Sequence, residues 1–240
     1  MKILNLRGRL ALDVGTDGQS VAVDVAEASA GRFGPDPQSV YAVWDEFAGW
    51  AASPAPVRAL GEPFDAAELG APVPRPAQLF AIGLNYREHA LEAGMEIPER
   101  PMVFTKFPAA IAGPVGIVEL PPGDNDWEIE LVAVIGRRAD HMPVEQAWSY
   151  VAGLTVGQDL SERKSQLAGP APAQYSLAKS FRGFAPIGPV VVTTDEFRDP
   201  DGAARTPPRF LAAGDVLRSS IDGIGRMRRD FVDRRDRIPS

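Results

Sequence analysis

Cysteine is absent from the 240 residues, and histidine occurs only twice, as His89 and His141. The first absence excludes disulfide staples, thiolate nucleophiles, cysteine-type zinc sites and iron–sulfur clusters. The second means that any metal is held by oxygen or by those two imidazoles. No window approaches 18 consecutive apolar residues, so nothing reads as a membrane span. The first residues, Met1 to Arg9, lack the apolar core and small-residue cleavage site of a secretory leader, and the expected compartment is the cytoplasm. Basic charge is in deficit, with 25 Lys and Arg against 32 Asp and Glu and a net charge of −7. That balance argues against nucleic acid and against an anionic membrane surface as partners, since binders of either normally present a basic face.

What is present is ordinary for a globular chain: 45% hydrophobic and 24% charged residues. A chain of this length buries roughly 70–75% of its unfolded surface and needs no metal merely to fold. Glycine and proline number 23 each and are scattered without period, which reads as many short elements joined by turns. Arg9–Leu12 and Val21–Val25 read as strands around the turn signal Gly15-Thr16-Asp17-Gly18. Residues 37–52 read as a helix whose stripe of Val40, Val43, Trp44, Phe47 and Trp50 is core. Six prolines between 54 and 76 mark a connection. The expected organisation is therefore a small strand-and-helix domain over residues 1–75 and a larger one over 76–240. In the larger part, Leu79–Gly83, Met102–Lys106, Ile129–Gly136, Leu154–Leu160 and Pro189–Thr194 read as strands, and Pro143–Val151 as a helix. The fold class is α+β with mixed or antiparallel sheets. The closing run Arg226–Arg237, with six Arg and three Asp, reads as a solvated C-terminal segment.

Three acids stand out. Glu128 and Glu130 are two apart in a strand, which puts both side chains on one side, about 6–7 Å apart along the backbone. The flanking Trp127, Ile129 and Leu131 are apolar, so the opposite face is expected to be buried. Two ionised carboxylates buried together are costly without a cation between them. The same spacing also describes an ordinary solvated strand face. Asp159 closes the next strand, where sites are often built. An oxygen-only set would take Mg²⁺ or Mn²⁺, with Ca²⁺ a further candidate. If the stretch after Asn85 is helical, His89 and Glu92 share a face, and the carboxylate would raise the imidazole's basicity as a general base requires. A casual surface pair has the same spacing. His141, beside Asp140, reads as a solvated turn residue. Lys179 sits among small and apolar neighbours and suits either a buried cation facing an anionic substrate or an ordinary surface lysine. Arg163 offers a planar fork for a carboxylate, or a solvated loop position.

Taken in order, Gly83-Leu84-Asn85-Tyr86 with His89 and Glu92, Thr105-Lys106-Phe107-Pro108, Trp127-Glu128-Ile129-Glu130-Leu131-Val132-Ala133-Val134-Ile135-Gly136, Gly153 to Arg163, Lys179-Ser180-Phe181 and Gly188 to Thr193 resemble the fumarylacetoacetate hydrolase family over about residues 79–196. Gly214-Asp215-Val216 and Gly223-Ile224-Gly225 resemble that family's closing hairpin. The resemblance implies a mixed β-roll catalytic domain behind a smaller N-terminal domain, and a homodimer. It implies Mg²⁺ or Mn²⁺ on Glu128, Glu130 and Asp159. It implies a small 2-oxo acid as substrate, His89 oriented by Glu92 to activate water, and Lys179, Arg163 and Gln166 facing the substrate. Members of the family cleave carbon–carbon bonds in acylpyruvates, decarboxylate oxaloacetate, or isomerise or hydrate 2-oxo dienoic acids. The expectation is a hydrolase of acylpyruvate-type β-diketo acids, with a decarboxylase or isomerase on the same metal as the alternative.

Two departures from the family pattern matter. Gln158 stands where the family carries Asn before the metal-binding Asp, which alters the hydrogen bonding around that site. After Gly202 the family continues for several tens of residues, with an Asn-Gly-Glu stretch and a Gly-Thr-Pro-x-Gly loop. Here Ala203–Leu211 leads almost at once into Gly214-Asp215. Either the chain carries an internal deletion or residues of the natural chain are absent from the sequence. An inactive relative that binds without turnover is the reading of a different class.

Overall fold

A computed structural model describes residues 1–16, 19–53, 61–85, 98–170, 173–196 and 211–233. Strands β1 (Lys2–Leu6) and β2 (Arg9–Asp13) form a hairpin across Arg7 and Gly8. Both turn residues have positive φ, 53° and 83°, the backbone that matches the twist of a two-residue hairpin and that glycine adopts at little cost. β3 (Val21–Asp24) pairs with β2, and Asp24 then caps the short helix α1 (Val25–Ala28) by accepting from the Glu27 amide. A 3-10 turn over Ser39–Ala42 leads into α2 (Trp44–Ala51). The aromatic stripe faces inward as its spacing demands: Val40 and Phe47 are fully buried, packed with Phe33, Trp44, Ile3, Leu10 and Val191. Only Val43 of the stripe turns outward. β4 (Glu62–Pro63) and β5 (Leu69–Gly70) complete this part.

β6 (Phe80–Gly83) and β7 (Met102–Thr105) make a separate two-stranded sheet. There follow β8 (Ile111–Ala112), β9 (Val115–Leu120), β10 (Asn125–Asp126) and β11 (Ile129–Ile135). Beyond them come β12 (Val151–Gln158), β13 (Ser161–Glu162), α3 (Arg163–Leu167), α4 (Tyr175–Ala178) and β14 (Ala185–Val192). β15 (Val216–Ile221) and β16 (Gly225–Asp233) close the described chain. The main sheet runs β11-β12-β14-β1-β2-β3-β4, so strands from either side of the proline-rich connection share one sheet through the β1–β14 pairing. β15, β16 and β9 form a three-stranded sheet. The architecture is mostly sheet with a few short helices, the α+β class of the sequence reading.

Three local expectations are corrected. Val144–Tyr150 is 3-10 rather than α-helical, and no side chain caps its start. The face of β11 opposite the acids is not fully buried: Ile129 is 40% exposed, because β11 is the edge strand of its sheet. The charged C-terminal run is not a solvated segment as far as Asp233. Met227, Arg229 and Phe231 alternate inward along β16, the middle strand of its sheet, and a period of two outweighs the charge count. The stretch with His89 and Glu92, and the junction after Gly202, lie outside the described residues.

Candidate functional site

The end of β11 and the end of β12 lie side by side. Ile129 pairs with Gln158, Glu130 with Gly157, and the Asp159 amide donates to the Glu128 carbonyl at 2.9 Å. This register brings the three acids together, and two buried ammonium groups meet them. Lys179, at the C-terminal cap of α4, reaches Glu128 Oε2 at 3.0 Å and Asp159 Oδ2 at 2.6 Å. Lys106, just after β7, reaches the other oxygen of Asp159 at 2.5 Å and the Leu160 carbonyl at 3.1 Å. Lys106, Lys179 and Asp159 are 4%, 2% and 5% exposed, so these are interior ion pairs. Lys179 Nζ also stands 5.0 Å from the centroid of the Phe104 ring, and Tyr175 lies against that ring at 5.8 Å.

Arg163 opens α3 and spreads its fork across the same cluster. Nε donates to Asp126 Oδ2 at 2.8 Å, Nη1 to Gln166 Oε1 at 2.8 Å, and Nη2 to Glu128 Oε1. Gln166 is buried on the same helix. The fork is thus engaged by protein acids, and the residue fixes Glu128 directly. His141 is a solvent-exposed turn residue beside Asp140.

Burial pushes the Glu128 carboxyl up, but Lys179 and Arg163 pull it down further, and the net position is below the ordinary range. Burial also lowers Lys106, to about 8, against the opposing pull of Asp159. Glu130 differs from its neighbours. Burial and then the charges of Glu128 and Asp159 push it up to about 7. Among the described residues no hydrogen bond or ion pair reaches its carboxylate. Among the described residues four carboxylates, Asp126, Glu128, Glu130 and Asp159, face three cations, Lys106, Arg163 and Lys179, and the unmatched charge falls on Glu130.

As placed, no three His, Asp or Glu side chains among the described residues stand in ligating geometry. The Lys179 ammonium itself bridges two of the three acids. The donor set is nonetheless that of a hard divalent cation: oxygen only, crowded, and with one carboxyl, Glu130, pushed up by burial and then by its neighbours' charge. These residues fit such an ion, which would meet the unmatched charge of Glu130.

Lys106 and Asp126 belong to the site without being candidates from the sequence. Lys106 is a single charge at the end of an apolar strand, and Asp126 extends the alternating series Asp126, Glu128, Glu130 by one step; both signals were present. A cleft of about 760 Å³ lies elsewhere, lined by Trp44, Asp45, Arg137 and Tyr150 among others, and no residue of the acidic cluster lines it.

Comparison with known proteins shows the family. A family model, fumarylacetoacetate (FAA) hydrolase C-terminal, matches residues 78–206. The chain belongs to the fumarylacetoacetate hydrolase family. A solved protein of Mycobacterium smegmatis that carries the provisional name HpcE is 43% identical, with a TM-score of 0.86, over 97% of this chain and 99% of that one. The mitochondrial oxaloacetate tautomerase Fahd2a of Rattus norvegicus is 40% identical over 132 residues, 54% of this chain and 42% of that protein. The match thus spans less than half of that curated relative. Maleylpyruvate hydrolase from Sphingobium sp. SYK-6, solved with manganese(II) and pyruvate, shares the fold at a TM-score of 0.73 and 21% identity.

Proposed function

We propose that this family member is a divalent-metal-dependent hydrolase that cleaves a carbon–carbon bond in acylpyruvate-type β-diketo acids. The observation that carries the reading is the charge arrangement itself. Glu128 and Asp159 are pinned by Lys106, Arg163 and Lys179, while among the described residues no cation forms an ion pair with Glu130 beside them. Glu128, Glu130 and Asp159 would hold Mg²⁺ or Mn²⁺, which when bound supplies a Lewis acid for the carboxylate and 2-oxo oxygens of the substrate. Lys179 brings a fixed, buried positive charge to the place where an enolate oxygen gathers negative charge as the bond breaks. Arg163 keeps Glu128 oriented, and Gln166 braces Arg163. In this reading His89, oriented by Glu92, takes a proton from the water that attacks the distal carbonyl, and the products are pyruvate and a carboxylic acid. The manganese and pyruvate of the Sphingobium hydrolase support the choice of metal and product.

A second reading has a specific observation behind it. Oxaloacetate tautomerases of rat and cattle are 40–42% identical to this chain over 132 residues. Tautomerisation of oxaloacetate needs a proton shuttle between carbon and oxygen but no attacking water. The two readings separate in one assay. Metal-dependent loss of the acetylpyruvate enol absorbance, abolished by EDTA and yielding pyruvate and acetate, is the expected result. Inert acetylpyruvate together with accelerated enol–keto exchange of oxaloacetate would replace hydrolysis by tautomerisation.

A further inference from the structure

Glu162 is a buried acid that the proposed chemistry does not use. It is 2% exposed, and among the described residues no lysine or arginine pairs with it. Its carboxylate is filled instead by backbone. Oε1 accepts from the Asp124 amide at 2.8 Å and the Lys164 amide at 3.0 Å. Oε2 accepts from the Ser165 amide at 2.7 Å and from the Ser165 hydroxyl. Gly123 wraps this group. Its φ is +131°, and a Cβ there would stand 2.2 Å from Glu162 Oε1, so the carboxylate occupies space that only a glycine leaves open. Capping a five-residue helix does not call for this much: a serine or aspartate at the N-cap would satisfy two amides without burying a longer acid.

What the carboxylate joins explains its presence. On one side is the Gly123–Asp126 stretch, paired to β13 through Asn125 and Glu162. On the other is the first turn of α3, whose Arg163 amide donates to the Asp124 carbonyl at 2.8 Å. Asp126 belongs to the first stretch and Arg163 to the second. Their ion pair at 2.6 Å aims the guanidinium at Glu128.

We propose that Glu162 is a positioning residue, the peg that fixes the Asp124–Asp126 stretch against the start of α3 so that Arg163 presents its fork to Asp126 and Glu128. Glu162 touches neither substrate nor metal and acts only through Arg163. The geometric part stands alone; its consequence for metal binding rests on the reading of Glu128 as a ligand.

The test is Glu162→Gln, which turns one acceptor oxygen into a donor facing amide donors. Two readouts are taken on the folded full-length protein. The first is the Arg163 Nε–H resonance of ¹⁵N-labelled protein, assigned by its absence in Arg163→Lys. It is expected to be protected in the wild type and lost in Glu162→Gln. The second is Mn²⁺ affinity, expected to weaken about tenfold. In an Arg163→Lys background the same Glu162→Gln change should alter Mn²⁺ affinity less than twofold, because the pathway through Arg163 is already cut. An unchanged Arg163 resonance overturns the proposal. So does an equal loss of affinity in both backgrounds, which would mean that Glu162 supports the fold in general. If the wild type binds no Mn²⁺, the metal reading fails by itself and the Arg163 resonance decides the positioning claim. If Glu162→Gln does not fold, Ser165→Ala at an exposed position removes one donor. A two- to threefold effect on affinity, absent in the Arg163→Lys background, supports the proposal; no effect on resonance or affinity overturns it.

Discussion

The aromatic core behind the first hairpin and the charged cluster at the foot of β11 are both buried, and opposite physics holds them. In the first, Phe33, Trp44, Phe47 and Trp50 meet with ring centroids 5.3 to 6.0 Å apart, in mixed tilted and edge contacts. Each ring contributes by leaving water, and no partner is indispensable. In the second, Lys106, Lys179, Glu128 and Asp159 were taken from water at a cost that only their mutual pairing offsets. Loss of a ring leaves a void. Loss of a charge leaves another charge unpaired, and how much that matters depends on pH and on whether a cation can take the place.

The largest effect should come from Lys179→Met. Under the proposed function, turnover of the metal-loaded protein is expected to fall at least about a hundredfold, from the loss of one fixed charge where that reading puts the oxyanion. In metal-free protein the variant leaves Glu128 and Asp159 short of a cation, and a loss of about 3–5 kcal/mol of stability is expected. Saturating Mn²⁺ should recover more stability in the variant than in the wild type, read by thermal melts with and without the ion. Equal metal-induced shifts would mean that Lys179 and the metal do not answer the same charge. Phe47→Ala should cost a similar 3–5 kcal/mol, since it empties a fully buried ring site. That cost should be the same at pH 5 and pH 8 and the same with or without Mn²⁺. A metal-dependent cost at Phe47 would join the two regions that the comparison separates.

The two regions also differ in how far the sequence reveals them. Val40, Trp44, Phe47 and Trp50 announce a buried helix face through spacing alone, and the structure places them so. Burial of apolar groups needs only the right period. Glu128 and Glu130 fit the period of a strand equally well as a solvated face or as half of a site; what brings Asp159 alongside is the β11–β12 register, a long-range pairing that no local pattern encodes. Family resemblance supplied that link. Lys106 and Asp126 are not legible in the sequence because a single charge beside an apolar strand has many uses, and only its partner across the fold selects one. The β16 strand differs from its sequence expectation for a related reason. Charge count suggested solvent, whereas Arg229 is buried with Nη1 and Nη2 on the Gly113 and Ile117 carbonyls.

Glu130 sharpens the contrast within the charged cluster. Its ordinary pKa of 4.5 is pushed up to about 7. The folded metal-free protein therefore keeps a proton that the unfolded chain gives up, and this group's contribution to stability is present below about pH 4.5, declines as pH rises to about 7 and is then level. Glu130→Gln removes that slope. At pH 8 without metal the variant should be more stable than the wild type by about 1–3 kcal/mol, after discounting for the partly exposed position. With Mn²⁺ present the order should reverse, because the amide brings no charge to the ion. Parallel pH profiles in denaturant titrations of the two proteins would remove the unmatched charge from Glu130.

The smallest effect tests whether burial, rather than charge as such, separates the two regions. Asp45 on α2 and Arg137 just beyond β11 form an ion pair at 2.6 Å, as short as the Lys179–Asp159 contact, with side chains 67% and 45% exposed. Arg137 also donates to the Ser149 carbonyl at 2.8 Å. Water already solvates both partners, so neither is stranded when the other is lost. Asp45→Ala should cost less than about 1 kcal/mol, at most a few degrees in a melt, and salt near 1 M should shrink that further. Lys179→Met should hold its cost at the same salt, since counter-ions do not reach a residue 2% exposed. If Asp45→Ala matched Lys179→Met, contact distance would govern the energetics of both pairs and the distinction drawn from burial would fail.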